Sequence, residues 1–350
     1  MSDPFAPRPS IDEIPFGNRT IGPSRPIIVI AEIGVNHEGD ADVCARMIEA
    51  AAEAGADSIK LQTMDAEENY VPGTESHALF SDCALSREET ARMFDLARRL
   101  GLEPFTTTGD FASIDWVDRL EPAAHKISSG LFTHLPMVRH AAASGRTLLM
   151  STGMAEPVDI DRTVAAARAA DATFGLFQCT SIYPAGPELL NLSTVGWLAD
   201  RYRVPTGFSD HSVGIEAAAL SVAAGACMIE KHFTFDARSP GYDHRLSLEP
   251  DRFAEMVRAV RQAETMRGKP VKELTEAERL NGLRNHRCLV ARRPLRAGDL
   301  FTTENLGLKR PLPDRRGMSP ECYERVLSRR VTRDLAVNDP ITPEAVEGWT

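Results

Sequence analysis

The sequence predicts an α/β protein, a TIM (β/α)8 barrel followed by a small β-rich domain. Three observations carry this expectation. Eight short apolar, β-branched runs alternate with amphipathic helical segments over roughly 240 residues. No GxGxxG follows the first run, where an open dinucleotide-binding sheet would place it. After residue 262 the alternation stops, and a charged stretch gives way to short β runs and a Gly-Asp turn.

The strands are expected in "PIIVIAE", "ADSIKLQ", "LEPFTTT", "AHKISS", "RTLLMST", "TFGLFQC", "VPTGFSD" and "ACMIEKH". Between them, "SREETARMFDLARRLG" places Met93, Ala97 and Leu100 at helical spacing, with Ser86 and Glu89 as a capping box. In "PDRFAEMVRAV", Phe253, Met256, Val257 and Val260 make one apolar face. Gly55, Gly101, Gly145 and Gly225 each follow a helical run, as C-terminal caps do. The expected division is a barrel domain over 1–262 with an N-terminal extension over 1–25, a linker over 263–284, and a β-rich domain over 285–350.

The 350 residues are 43% hydrophobic and 26% charged, the composition of a soluble globular chain. A net charge of −10 argues against a general nucleic-acid or anionic-membrane binder, so an anionic substrate needs a local cluster of cations. The polar, proline-rich N-terminus has no signal core, and no apolar run reaches the length of a membrane span. The six cysteines show no CxxC pairing and read as reduced structural thiols of a cytoplasmic protein rather than metal ligands. No internal repeat or low-complexity tract is evident.

Active sites of such barrels gather at the C-terminal strand ends, and the polar residues fall there. Strand one ends with Glu32, Asn36 and His37, and strand two with Lys60 and Gln62. Thr106, Thr107 and Thr108 end strand three, Lys126, Ser128 and Ser129 strand four, and Ser151 and Thr152 strand five. Thr180, Ser181 and Tyr183 follow strand six, while Ser209, His211, Glu230 and His232 close strands seven and eight. Two imidazoles from adjacent strands beside Glu230 suit a divalent transition metal with open coordination positions; the alternative is that each only hydrogen-bonds in a polar loop. Alternation puts Met228, Glu230 and His232 on the mouth face and Lys231 on the helix side, with Asp210 pointing away from His211. Lys60 and Lys126 are the expected anion holders, with Ser129, Ser151 and Thr108 as neutral donors. Salt bridges to Glu32 or Glu230 are the competing use of those ammonium groups.

The ordered segments "AEIGVNHEG", "KLQT", "KISSG", "STGM", "CTSIYPA", "GFSDHSVG", "IEKHFT" and "GYDHRLSLEP" resemble the sialic acid synthase family. "AGDLFTTENLGLKRP" looks like the antifreeze-like (SAF) domain of the same enzymes. The resemblance spans almost the whole chain. It implies a synthase condensing phosphoenolpyruvate with an N-acylated hexosamine (ManNAc-like) to a nonulosonic acid and phosphate. It also implies a domain-swapped homodimer and a divalent metal on His211 and His232, most simply Mn²⁺, with Mg²⁺ or Co²⁺ as alternatives. Phosphoenolpyruvate would be held by Lys60, Lys126, Thr108, Ser129, Ser151 and Ser209, with Glu32 as the acid/base group. Gln62, Tyr183 and Asp243 would approach the sugar, and Arg310 would reach it from the other subunit.

The chain departs from the family pattern at four places. Leu131 stands where Glu is usual, Gly109 replaces the proline of "STP", Tyr242 replaces the proline of "GPDH", and "RPLPDRRG" replaces "RPGNG" after Arg310. All four lie on the side the resemblance gives to the sugar, so an unusual sugar is expected. The rival readings are another phosphoenolpyruvate-condensing or aldolase-type metal enzyme, and a catalytically silent SAF-containing binding protein.

Overall fold

The computed structural model describes residues 12–241, 243–269, 271–312 and 314–349. Two compact units divide the chain, Met1–Gly268 and Lys269–Thr350. In the first, eight parallel strands close a barrel: β1 (Ile28–Gly34), β2 (Ser58–Thr63), β3 (Glu103–Thr108), β4 (His125–Ile127), β5 (Leu148–Ser151), β6 (Phe174–Cys179), β7 (Thr206–Asp210) and β8 (Met228–His232). The ring is completed by β8 against β1, with Glu230 opposite Ile30 and His232 opposite Glu32. Each strand is followed by an outer helix: α1 (Ala41–Glu53), α2 (Arg87–Arg99), α3 (Phe111–Asp118), α4 (Leu135–Ala142), α5 (Pro157–Ala169), α6 (Ser193–Tyr202), α7 (Glu216–Ala223) and α8 (Pro250–Arg267). Helix α2 starts at the Ser86–Glu89 capping box. Gly55, Gly101, Gly145 and Gly225 all take positive φ at helix ends, a conformation that only glycine adopts freely.

Strands buried on both faces read as near-continuous apolar runs, and the two faces do different work. Val29, Ala31, Ile59, Phe208 and Ile229 pack outward against Met47, Phe94 and Met256 of the helices. Ile28, Ile30, Phe105, Leu149, Phe177 and Met228 fill the lower barrel interior. Burial of each large apolar side chain contributes about 1.5–3 kcal/mol.

The N-terminal extension holds an element that the sequence reading left out. Ile14–Phe16 and Arg19–Ile21 form an antiparallel hairpin across Gly17 and Asn18. Its Ile14, Phe16 and Ile21 join the lower interior cluster, and Phe16 meets Phe105 edge-on at 5.4 Å. Arg19 pairs with Asp57 at 2.8 Å, while Asp57 also accepts from the Val29 amide at 2.9 Å and from Arg261. The hairpin therefore stoppers the end of the barrel opposite the strand C-termini. Its signal was present: Gly-Asn between two short apolar runs is a hairpin turn.

After β2 the chain makes two extra helices, Ala66–Asn69 and Glu75–Cys83, before α2. The stretch expected as a linker is partly helical: α8 runs to Arg267, and Glu276–Asn285 forms a helix with a Thr275–Glu278 capping box. In the second unit, β9 (Cys288–Ala291) pairs antiparallel with β10 (Leu306–Lys309) over a core of Leu289, Leu295, Phe301, Val331, Leu335 and Ile341. Among the described residues, no helix is long and apolar enough to cross a membrane.

Candidate active site

The C-terminal strand ends enclose a cavity of about 490 Å³. Its floor is set by β-strand alternation. Glu32 ends β1, Lys60 lies in β2, Lys126 in β4 and Glu230 in β8, and all four side chains point inward and are buried. Lys60 Nζ lies 3.2 Å from both Glu32 Oε2 and Glu230 Oε1. Lys126 Nζ donates to Glu230 Oε2 at 2.6 Å and sits 4.6 Å from the centroid of the Phe177 ring. Ser209 Oγ donates to Glu230 Oε1 at 3.1 Å, Gln62 Nε2 to Glu32 Oε1 at 2.8 Å, and Lys60 Nζ to Thr107 Oγ1 at 3.1 Å. The lysines thus face the cavity and are paired to carboxylates, the competing use expected of those ammonium groups.

The two acids differ in proton affinity. Burial pushes Glu32 up to about 7, with Lys60 opposing and Glu230 assisting the rise. Burial would raise Glu230 as well, but Lys126 and Lys60 hold it well below the usual carboxylate range. Burial would lower Lys60, but Glu230 and Glu32 hold it above its ordinary value, whereas burial lowers Lys126 with Glu230 opposing.

Beside Lys126 stands a cradle of hydroxyls. The Gly153 amide donates to Ser129 Oγ at 3.1 Å, and a Cβ on Gly153 would collide with Ser181 and lie 2.6 Å from Ser129 Oγ. The glycine of "STGM" is therefore required by close approach. Ser151 Oγ and Ser181 Oγ are buried without a hydrogen-bond partner among the described residues. Buried polar atoms are rarely left unpaired in native structures, so these are the marks of a ligand site.

His211 and His232 converge on the same mouth, their ring centroids 5.4 Å apart. His211 Nδ1 donates to the Thr180 carbonyl at 2.8 Å, which leaves Nε2 as the free lone pair. Tyr183 stacks on that ring at 4.2 Å. His232 Nδ1 is buried with no hydrogen bond among the described residues, 3.5 Å from Asp243 Oδ2. An orphaned imidazole nitrogen facing a carboxylate and a second imidazole fits a divalent cation with open positions. Among the described residues, no group of three or more His, Cys, Asp or Glu side chains is placed to hold a metal ion by itself.

The outward residues behave as alternation predicts. Lys231 and Asp210 pair at 3.0 Å with both side chains fully buried, away from the cavity. Asp210 Oδ1 also accepts from the Ser212 amide at 2.8 Å and hydroxyl at 2.6 Å, fixing the turn after His211. Asp210→Asn leaves a buried ammonium without its counter-ion, and should destabilise the chain by about 3–5 kcal/mol. Urea unfolding measures this; an unchanged midpoint would contradict it.

Of the residues expected at the site, Glu32, Lys60, Gln62, Lys126, Ser129, Ser151, Ser181, Tyr183, Ser209, His211, Glu230, His232 and Asp243 all line this one cavity. Thr108 does not. Phe105 points into the barrel, so alternation carries Thr107 inward and Thr108 outward, where its hydroxyl is buried and unpaired. Arg310 lies in the second unit, beside a smaller surface cavity with Lys309 and Arg315. Asn36 ties the loops after β1 and β8 by donating to the Phe233 carbonyl and Ser247 Oγ, both at 2.9 Å. His37 lies off the cavity, and burial lowers its pKa to about 4. Leu131 packs against the apolar cluster around Phe132 rather than lining the cavity. Tyr242 lies outside the described residues. Sequence reasoning missed Cys179, which lines the cavity between Ser129 (3.5 Å) and His211 (3.8 Å), and the rim residues after β2. Only the position of Cys179 at a strand end pointed to it.

The profile of the NeuB family matches residues 47–272, and that of the SAF domain residues 286–347. The chain is 33% identical to the N,N'-diacetyllegionaminic acid synthase of Legionella pneumophila, over 95% of this chain and 98% of the relative. It is 31% identical to the N-acetylneuraminate-9-phosphate synthase of Mus musculus, over 94% and 95%. The crystal structure of the N-acetylneuraminic acid (sialic acid) synthetase of Leptospira borgpetersenii with citrate matches with TM-score 0.75 at 32% identity, covering 77% of this chain and 95% of that one.

Proposed function

As the chain belongs to the NeuB family of phosphoenolpyruvate-condensing synthases and carries an SAF domain, we propose that it joins phosphoenolpyruvate to an open-chain N-acylated hexosamine. The products are a nonulosonic acid and phosphate. The observation that carries this reading is the floor, where two buried ammonium groups adjoin hydroxyls of Ser151 and Ser181 that are unpaired among the described residues.

On this reading Lys60, Lys126 and the serine cradle bind the phosphate and carboxylate, and offset charge as it shifts in the transition state. A divalent metal, Mn²⁺ by resemblance, would be held by His211 and His232 and supplies Lewis acidity toward an aldehyde oxygen when bound. C3 of phosphoenolpyruvate forms the new bond to the aldehyde carbon. Glu32, poised near neutrality, gives the aldehyde oxygen its proton and then takes one from the water that adds at C2. The C2–O bond to phosphorus breaks as the C2 hydroxyl proton leaves, giving the keto acid and inorganic phosphate. Gln62 fixes the Glu32 carboxylate, and Tyr183 and Asp243 stand where the sugar would lie.

The test is incubation with phosphoenolpyruvate, Mn²⁺ and a panel of N-acylated hexosamines, reading phosphate release and product mass. Phosphate release with none of the panel would overturn the assignment. In a homodimer, Arg310 of one subunit would serve the partner's sugar site. Mixing Glu32→Gln with Arg310→Ala should then restore roughly a quarter of wild-type activity, since random pairing leaves that share of sites intact. No recovery despite demonstrated subunit exchange would place Arg310 in cis or outside the reaction.

A further inference from the structure

Gly109, just beyond β3, does not take a left-handed φ, so its backbone would accept any residue. The space around it would not. A Cβ there would collide with the Asn69 side chain and lie 2.5 Å from Met64 Sδ. Asn69 is held from the other side, its amide donating to the Asp65 carbonyl at 2.8 Å and reaching Asp110 Oδ2 at 3.5 Å. Asp110 in turn caps α3 by accepting from the Ser113 amide at 2.7 Å. The loops after β2 and β3 interlock at this glycine.

From that anchor the segment 64–83 arches beside the mouth. Tyr70 stacks on Phe80 at 5.2 Å, and Val35, Phe80 and Cys83 make a small buried cluster with Met64, Tyr70 and Leu79 against it. Val35, Met64, Tyr70, Leu79 and Phe80 all line the cavity. Among the described lining residues the ammonium groups are Lys60 and Lys126, both engaged with Glu32 and Glu230, and no arginine is present. Asp243, which also lines the cavity, would oppose a second phosphate.

We infer that Gly109 is the positioning residue that seats segment 64–83 as the specificity wall of the electrophile site. That wall admits a sugar whose far end is uncharged and carries methyl or acyl groups. The inference rests on the synthase reading above and deepens it. A phosphorylated far end would bury a dianion against Met64, Leu79 and Phe80, with no further cation to meet it among the described residues that line the cavity.

Two measurements test it on the full chain. With wild-type protein, kcat/KM is compared for N-acylated hexosamines and their 6-phosphates; the uncharged sugars should lead by roughly a hundredfold. Equal or better use of the phosphosugars would overturn the specificity assignment. Separately, Gly109→Ala should raise the sugar KM by about tenfold while leaving the phosphoenolpyruvate KM unchanged. Asn69→Ala added to it removes the collision with Asn69 and leaves only the flexible end of Met64 to shift, and should bring the sugar KM back to that of Asn69→Ala alone. Equal changes in both KM values, or no rescue, would remove Gly109 from this role. Absence of phosphate release with every sugar, charged or not, overturns the synthase reading itself, and this inference with it.

Discussion

His211→Ala and His232→Ala will each lower phosphate release by on the order of a thousandfold or more, while the barrel stays folded. The two rings are the convergent nitrogen donors of the mouth, and His232 Nδ1 has no hydrogen bond to lose among the described residues. Neither belongs to the packed clusters below or around the strands, so circular dichroism and the urea midpoint should change little. Equilibrium dialysis with Mn²⁺ gives an independent readout, with each variant losing binding that wild type shows. Full turnover by His211→Ala after chelation would remove the metal from the site.

Lys126→Met comes next in size. Lys126 is almost fully buried, holds Glu230 at 2.6 Å and faces the serine cradle. Its loss should lower kcat/KM for phosphoenolpyruvate by roughly a thousandfold and change the sugar KM by less than about threefold. The folded state also suffers, because Glu230 keeps only Lys60 and Ser209 as partners. A cost of up to about 3 kcal/mol is expected from a half-compensated buried carboxylate. If phosphoenolpyruvate saturates the variant as it does wild type, the anion site lies elsewhere.

The strands were legible because each is a short apolar run closed by a polar end, and β8 shows how far that goes. Alternation from Met228 to His232 separates Glu230 from Lys231, and the structure pairs the two with different partners on opposite faces. At β3 the expectation did not use alternation. "LEPFTTT" ends in three identical hydroxyls, and Thr108 was expected among the donors; counted from the inward Phe105, alternation brings Thr107 to the cavity instead. Segment 64–83 was unreadable for another reason. Its helices are short and weakly periodic, and they are held by tertiary contacts at Gly109 and Phe80 rather than by their own pattern. The N-terminal hairpin was hidden by the polar residues around it, although its turn was visible.

That hairpin has a kinetic consequence. With Phe16 and Phe105 sealing one end, the barrel is a blind well rather than a passage. On the proposed reading, phosphoenolpyruvate on Lys60 and Lys126 should go in first, and the sugar should follow it. Traffic becomes a stack, with the deeper molecule unable to exchange until the upper one has left. Bound phosphoenolpyruvate should therefore be trapped by excess sugar in an isotope-dilution experiment, and sugar alone should form no competent complex. Free exchange of labelled phosphoenolpyruvate beneath a saturating sugar would mean that the well has a second door.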